Sequence, residues 1–501
     1  MKSILTLLFI AGTTAHALAG AAMSPRQSSA IPVGNESLVR VNATAQAFDF
    51  FRPWAKKPPA MRRGLGPVVE DGFILVTAEL VANHTYIELE KSGTAEKSPA
   101  TVVAVDYDCN LALLQPTDPE FLASSRPLAL DTGARVGDRA VILQLESNDD
   151  IAETPAAIST ITVAPYPLER LALLTYRLSA PLANREGSFT MPVVRSGRLL
   201  GLLMRYDART QTASLIPSPV IRHFLDDAKD PSQGGFPRAG VAFSSTRDPQ
   251  FRNFIKLEEN GGVYVNHVSP KSPADRAGLQ KSDIILGVND QPIDQDGNLD
   301  DPEFGKIPFS HLISTRSHPG DTLTFKIQRD GAVKTLPLTL GSDADDSTPT
   351  VSEAYLFDAQ PRYNILGGLV FQELSRPYLQ EWGTRWQTDA PQRLVYLDAY
   401  QEELPPETGK VVFLSQVLPS PDTLGFANLA HLVVKKINGI EIKSLEDVSR
   451  AAASPENGFH KITFEEDPGF ILLDAKAAET GRDRLMQEYG IPAPDNLTPT
   501  K

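Results

Sequence analysis

Residues able to carry acid–base, nucleophilic or metal chemistry are sparse in this chain. Its eight histidines are scattered, and none forms a His-x-x-x-His pair. No second cysteine accompanies Cys109, so no metal constellation is expected. No phosphate-cradling loop is present either, and no cofactor is expected. A lone thiol cannot close an internal disulfide, so Cys109 reads as a buried, inert side chain. Two histidines, His84 and His223, fall between residue 20 and Pro237. An imidazole titrates near neutrality and suits general-base work, but only within hydrogen-bond reach of the group it deprotonates. His84 opens a strand in Ala82-Asn-His-Thr85. His223 lies in Val220-Ile-Arg-His-Phe-Leu225, which reads as a short helix, and a structural or solvated role is expected for it.

The elements that would position such groups begin after a secretory signal over residues 1–19. Lys2 supplies the positive start, Ile4-Leu-Thr-Leu-Leu-Phe-Ile-Ala11 the apolar core and Ala17-Leu-Ala19 the cleavage site. The run is too short to span a bilayer, so an exported chain, periplasmic or extracellular, without a transmembrane segment is expected. Residues 20–35, rich in Ser, Ala and Pro, are expected to form a flexible leader. The chain has 501 residues and a net charge of −14 without an acidic block, which suggests about three domains and argues against nucleic-acid binding.

Residues 36–230 carry short β-runs: Leu38–Asn42, Phe73–Val76, Tyr86–Glu90, Thr101–Val105 and Arg139–Leu143. Their spacing predicts a barrel or sandwich. A second unit spans 236–341, a polar linker 342–360, a third unit 361–474 and a helical tail 475–501. The second and third units repeat one internal order: a Gly-containing start, an apolar strand, a turn between strands, a helix and a last strand. In the third unit, Trp382 and Trp386 are four apart, a spacing that would put both on one helix face. They are expected to pack in the core or to meet a second subunit.

Gly262-Val-Tyr-Val-Asn-His-Val-Ser-Pro-Lys-Ser-Pro-Ala-Asp-Arg-Ala-Gly-Leu279, followed by Ser282-Asp-Ile-Ile285, resembles the HtrA/Deg family of exported serine proteases. Gly64–Val81 resembles the front of its protease domain, and Ile216–Phe224 its barrel-closing segment. Ile307–Ile313, Gly368–Phe371 and Val411–Leu418 are similar to the Deg branch with a divergent second PDZ domain. The resemblance implies a mainly β chain: a trypsin-like double β-barrel over 36–230, then two α+β PDZ domains.

Carried over position by position, the family's catalytic histidine falls on Glu79 in Thr77-Ala-Glu-Leu-Val81. Its orienting aspartate falls on Asn110 in Cys109-Asn-Leu-Ala-Leu-Leu114. Its nucleophile falls on Ser188 or Phe189 in Gly187-Ser-Phe-Thr-Met-Pro192, and the following glycine pair becomes Thr190-Met191. A serine hydroxyl needs a neighbouring base, and that base needs an orienting partner. A carboxylate with a pKa near 4.3 is a poor substitute for imidazole. The expectation is therefore a pseudoprotease. A serine endopeptidase using a Glu79–Ser188 pair is one alternative, and a structural envelope protein with self-filled PDZ grooves is another.

PDZ domains add an extended peptide to an open sheet edge and hold its carboxylate on backbone N–H groups. The resemblance places that loop at Ala239, Gly240 and Val241, with Arg238 beside it, Phe243 in the pocket, and Leu312 or Ile313 on the facing helix. The implied partners are unfolded or C-terminal peptide segments. A homo-oligomer, or a mixed assembly with an active relative, is implied as well.

Overall fold

The computed structural model describes residues 34–498, except 92–93, 95, 147, 149, 169–170, 183–187, 231–233, 258–260, 343–354, 402–403 and 406–407. The expected signal, most of the leader and most of the linker lie outside the described residues.

The first six strands form one sheet: β1 (Leu38–Ala45), β2 (Ala60–Pro67), β3 (Ile74–Thr77), β4 (His84–Lys91), β5 (Lys97–Asp106) and β6 (Leu111–Pro116), in the order β2-β1-β4-β5-β6-β3. A one-turn helix α1 (Ala78–Val81) follows β3 directly. Along β1 buried and half-buried positions alternate from Val39 onward, the period-2 signature of a strand with one face in a core. The next six close a second barrel: β7 (Arg139–Leu145), β8 (Ile151–Pro165), β9 (Ala172–Ser179), β10 (Pro192–Arg195), β11 (Arg198–Asp207) and β12 (Thr212–Pro217). In β11 a run from Leu199 to Met204 is wholly buried. Gly201 sits inside that run because a Cβ there would lie 2.3 Å from the Ile216 carbonyl of β12. Helix α2 (Ser218–Lys229) then buries Val220, Ile221, Phe224 and Leu225 against β11 and β12.

The second unit holds β13 (Val241–Ser244), α3 (Pro249–Phe254), β14 (Val263–Val268), α4 (Pro273–Arg276), β15 (Ile284–Val288), β16 (Gln291–Pro292), a small hairpin β17 (Asn298–Asp301) and β18 (Gly305–Pro308), α5 (Ser310–Ser314), β19 (Thr322–Arg329) and β20 (Ala332–Thr339). Its sheet order is β13-β14-β15-β19-β20.

The third unit contains β21 (Tyr363–Leu366), β22 (Leu369–Glu373), α6 (Arg376–Gln380), α7 (Trp386–Asp389), α8 (Gln392–Ala399), β23 (Val412–Val417), β24 (Leu432–Ile437), β25 (Ile440–Glu441), α9 (Leu445–Ala452), β26 (Phe459–Phe464) and β27 (Phe470–Asp474). Its order β22-β23-β24-β26-β27 repeats the second unit strand for strand. The tail adds α10 (Ala475–Thr480), α11 (Arg482–Tyr489) and β28 (Asp495–Asn496). Ala478 of α10 joins the third unit's core, and β28 pairs with β21.

The architecture is thus mainly β: two six-stranded barrel-like sheets of the trypsin type, then two α+β units. Each of the five β-runs read from the sequence falls on a strand. One local expectation is corrected. Trp382 and Trp386 do not share a helix face, because α6 stops at Gln380 and Gly383, at φ +86°, breaks the path before α7. Both rings still pack half-buried against the core around Tyr378. No described helix is long and apolar enough to cross a membrane.

The third unit is docked through the β1–β2 loop of the first barrel, and the second unit mainly on the second barrel. The loop between β1 and β2 crosses to the third unit. Phe50 enters the core with Leu374, Tyr378 and Phe413, Phe51 stands edge-on to Trp382 at 4.9 Å, and Lys57 pairs with Glu381 at 2.6 Å. The second unit leans on β9. There Ser314 Oγ donates to the Ala172 carbonyl at 2.9 Å, and the Leu174 amide donates to Thr315 Oγ1 at 3.3 Å.

Candidate functional site

The three phrases singled out in the barrels converge. Between β5 and β6 the chain turns tightly, with Asp106 Oδ1 accepting from the amides of Asp108 and Cys109 at 2.8 and 3.2 Å. Asn110 leaves that turn at φ +58°, a left-handed conformation asparagine tolerates. Its Oδ1 accepts from the Glu79 amide at 3.0 Å and its carbonyl from the Ala78 amide at 3.1 Å. Asn110 therefore holds the first turn of α1, satisfying two of the free N–H groups at that helix start. Its Nδ2 is buried without a partner among the described residues.

The segment before β10 comes from the other barrel. The Thr77 amide donates to Thr190 Oγ1 at 3.0 Å, the two hydroxyls meet at 2.8 Å, and Thr77 Oγ1 donates to the Phe189 carbonyl at 3.1 Å. The Phe189 amide donates to the Arg63 carbonyl at 2.8 Å. Ser188 is buried, and its Oγ meets no hydrogen-bond partner among the described residues. Neither Glu79 nor His84 therefore hydrogen-bonds to that hydroxyl. His84 Nδ1 instead lies 2.8 Å from the Val81 carbonyl in its own loop. Met191 is fully buried in the second barrel's core. Gly187 lies outside the described residues.

Arg62 closes one side, a residue that no sequence pattern pointed to. Its guanidinium donates to the carbonyls of Glu79 and Ala82 at 2.6 and 2.9 Å and lies 5.5 Å from the centre of the Phe189 ring. Burial pushes its pKa down, against the opposing pull of the Glu79 charge. Beyond it, the segment Tyr355–Asp358 covers the turn after α1. Asp358 Oδ1 accepts from the Asn83 amide at 2.6 Å, and the Asp358 amide donates to Asn83 Oδ1 at 2.9 Å. Tyr107 donates its hydroxyl to Asp358 Oδ2 and stacks on Phe357 at 4.2 Å. Burial, then that hydrogen bond, raises the Tyr107 pKa, so the hydroxyl stays protonated and acts as a donor. A cavity of about 460 Å³ lies alongside, between this segment, Phe50, Lys57 and the α6–α7 region.

In the second unit, β13 pairs with β14 on one side only and is the edge of its sheet. The preceding loop is fixed. The Arg238 amide donates to the Gly341 carbonyl at 2.8 Å, the Ala239 carbonyl accepts from Ala274 at 2.8 Å and the Gly240 carbonyl from Ser269 at 2.9 Å. Among the described residues the amides of Ala239 and Gly240 meet no acceptor. Gly240 has φ +72°, and a Cβ there would sit 2.2 Å from Ser272 Cβ, so the loop requires glycine twice over. Arg238 pairs with Asp108 of the first barrel at 3.4 Å. Val241 and Phe243 are half-buried on the edge strand, and the Phe243 ring lies 4.9 Å from Phe309 at the start of α5. Of the two α5 candidates, Leu312 is half-buried against the core and Ile313 is buried within it, 7 % exposed.

Residues 237–340 and 352–496 each match a PDZ domain family. Over 471 residues the chain is 26% identical to the Arabidopsis thaliana Protease Do-like 2, chloroplastic, covering 91% of this chain and 74% of that protein. It is 24% identical over 470 residues to Protease Do-like 4, mitochondrial, of the same plant, covering 93% and 86%. The chain is a homologue of the HtrA/Deg proteases with two PDZ domains. Among solved structures, the HtrA-type protease AlgW with a decapeptide is similar over 62% of this chain and 97% of that one, with 18% identity and a TM-score of 0.47.

The two PDZ domains differ at one decisive edge. Strand β22 of PDZ2 takes the sheet position that β13 takes in PDZ1. Beside β22, where β13 is open, PDZ2 carries β21 in antiparallel register from Tyr363↔Gln372 to Leu366↔Leu369. Asn364 Nδ2 donates to Ser449 Oγ of α9 at 2.8 Å, so β21 lies between the sheet edge and the helix. β28 then pairs outside β21. The PDZ2 edge is filled by the chain's own backbone.

Proposed function

We propose that this HtrA/Deg homologue is an exported, non-catalytic scaffold in protein quality control, binding unfolded or C-terminal peptide segments along β13 of PDZ1. The observation that carries the binding role is the contrast between the open β13 edge, with its glycine loop, and the self-filled PDZ2 edge. Strand addition there supplies main-chain hydrogen bonds, the amides of Ala239 and Gly240 receive the terminal carboxylate, and Phe243 and Leu312 line the apolar side. Loss of catalysis is supported by Ser188 Oγ, which meets no base, and by the Phe189 amide, which is committed to Arg63 rather than turned toward an oxyanion. Assembly into a homo-oligomer, or with an active relative, belongs to the same proposal.

A second reading is a serine endopeptidase with an altered site, favoured by Ser188, which sits one residue from the nucleophile register, and by the Do-like proteases the chain is similar to. Casein cleavage and labelling by a fluorophosphonate probe separate the two. We expect neither in the wild type. Turnover that disappears in Ser188→Ala would overturn the non-catalytic assignment. The binding half is tested separately: labelled C-terminal peptides should bind the wild type and lose binding in Gly240→Asp.

A further inference from the structure

Where α2 of the second barrel meets PDZ1, three side chains from two domains converge. His223 and Asp227 lie one helical turn apart on α2, and His318 comes from the PDZ1 loop between α5 and β19. Their ligand-type atoms all lie within 4.8 Å of one another. His223 is 4 % exposed, and its ring stacks between Phe236 at 4.3 Å and His318 at 4.2 Å.

Polar groups at this seam do not satisfy one another. His223 Nδ1 lies 3.3 Å from the Thr315 carbonyl, and Nε2 lies 3.3 Å from the Gly235 carbonyl. A neutral imidazole has one proton, so only one of those contacts is a hydrogen bond. With the proton on Nδ1, donated to Thr315, the Nε2 lone pair faces the Gly235 oxygen and Asp227 Oδ2, 3.4 Å away. Both Asp227 carboxylate oxygens and His318 Nε2 are buried without a hydrogen-bond partner among the described residues. The charges of Asp106, Asp226 and Asp230 add to the negative field around Asp227. The site is rich in acceptors and short of donors, and a cation is what such a site lacks.

We propose that His223 Nε2, Asp227 and His318 Nε2 form a site for a divalent transition-metal cation of the zinc class. Two imidazoles and one carboxylate are a donor set that zinc accepts. The Thr315 carbonyl on Nδ1–H supplies the outer partner that fixes a ligating histidine's tautomer. The two rings now lie 13° from parallel, so coordination by both tilts one out of the stack. A tilt of His318 breaks no hydrogen bond at Nε2 among the described residues. The bound ion would clamp α2 to PDZ1 and set how the peptide-binding domain sits on the barrel. Such a site is not legible in the sequence, because its ligands lie on two domains and show no local spacing beyond His223-x-x-x-Asp227.

The test is a calorimetric titration of the full chain, stripped with chelator, with zinc chloride alone, paired with cobalt(II) absorption. One equivalent should bind and raise the unfolding midpoint. His318→Ala and Asp227→Asn should each weaken binding by more than about tenfold, since loss of even an outer partner of a ligand costs about 10–100-fold. His460→Ala, in PDZ2, should bind as wild type. Asp227→Asn removes no volume, so it keeps the test valid if His318→Ala fails to fold. Absence of stoichiometric zinc binding, or unchanged affinity in both ligand variants, would overturn the site.

Discussion

Gly240→Ala is the sharpest test of the PDZ1 groove. At φ +72° an alanine pays the left-handed penalty, about 1–2 kcal/mol. Its Cβ also meets Ser272 Cβ at 2.2 Å. Ser272 cannot retreat cheaply. It is the N-cap of α4, its Oγ accepts from the Asp275 amide at 3.3 Å, and its own amide is bonded to the Ser269 carbonyl at 3.2 Å. Relieving such an overlap costs about 1–3 kcal/mol. The two contributions sum to about 2–5 kcal/mol of local destabilisation, or displacement of the carboxylate loop. The three tryptophans, Trp54, Trp382 and Trp386, lie outside PDZ1, so fluorescence is blind to the change. Hydrogen exchange of peptides covering β13 and α4 should show faster exchange, and fluorescence anisotropy should show peptide affinity falling at least about tenfold, the equivalent of 1.4 kcal/mol. Adding Ser272→Gly removes the overlap at a capping cost of only a few tenths of a kcal/mol. The double variant should therefore recover part of the loss and retain the backbone penalty. Unchanged exchange and affinity in Gly240→Ala, or no recovery in the double variant, would refute the claim that close approach at this loop demands glycine.

Two further outcomes follow from buried groups away from that loop. His311 on α5 is buried beside Arg316, whose Nε donates to His311 Nε2 at 3.1 Å; burial first and the Arg316 charge second lower its pKa to about 4. The folded state thus binds fewer protons than the unfolded one, so PDZ1 should lose stability as pH falls from about 6.5 toward 4, by about 3 kcal/mol in total. His311→Gln should flatten that slope in urea unfolding followed by hydrogen exchange, and an equal slope in the variant would dismiss His311 as its source. Asp358→Ala leaves the Asn83 amide and the Tyr107 hydroxyl without their acceptor. At about 1–3 kcal/mol per unsatisfied group, exchange at Asn83 should quicken about tenfold or more, and an unaltered rate would show that the segment does not rest there in solution.

The sequence carried some of these features because their determinants are local. The β-runs of the barrels alternate, and the resemblance rests on the flanks of the Thr77-Ala-x-Leu-Val81 and Leu111-Ala-x-Leu114 phrases. The resemblance carried on those flanks is what groups the three phrases at one site. The filling of PDZ2 was hidden for the opposite reason. β28 is only Asp495–Asn496, too short for periodicity, and its partner β21 lies at the far end of the domain. Phe50 and Phe51 were equally silent. They look like loop residues until Tyr378 and Trp382, over 300 positions away, provide the surface they cover. Trp382 and Trp386 misled by their spacing, since an intervening Gly383 outweighed helical periodicity. His223 and His318 could not be paired by any local rule.

On the proposed reading, α5 is the element that joins the groove to the barrel. Its Leu312 stands on the PDZ1 core near the peptide edge, while Ser314 and the following Thr315 hold β9 through the Ala172 carbonyl and the Leu174 amide. The Thr315 carbonyl in turn faces His223 Nδ1. A peptide that rotates α5 must therefore strain the barrel contacts or break them, because packed interfaces switch between discrete arrangements rather than deform freely. PDZ2 is anchored differently. With β21 and β28 completing its sheet and Phe50 sunk in its core, it is tied to the first barrel. The chain achieves that asymmetry by occupying one of two equivalent edges with its own backbone.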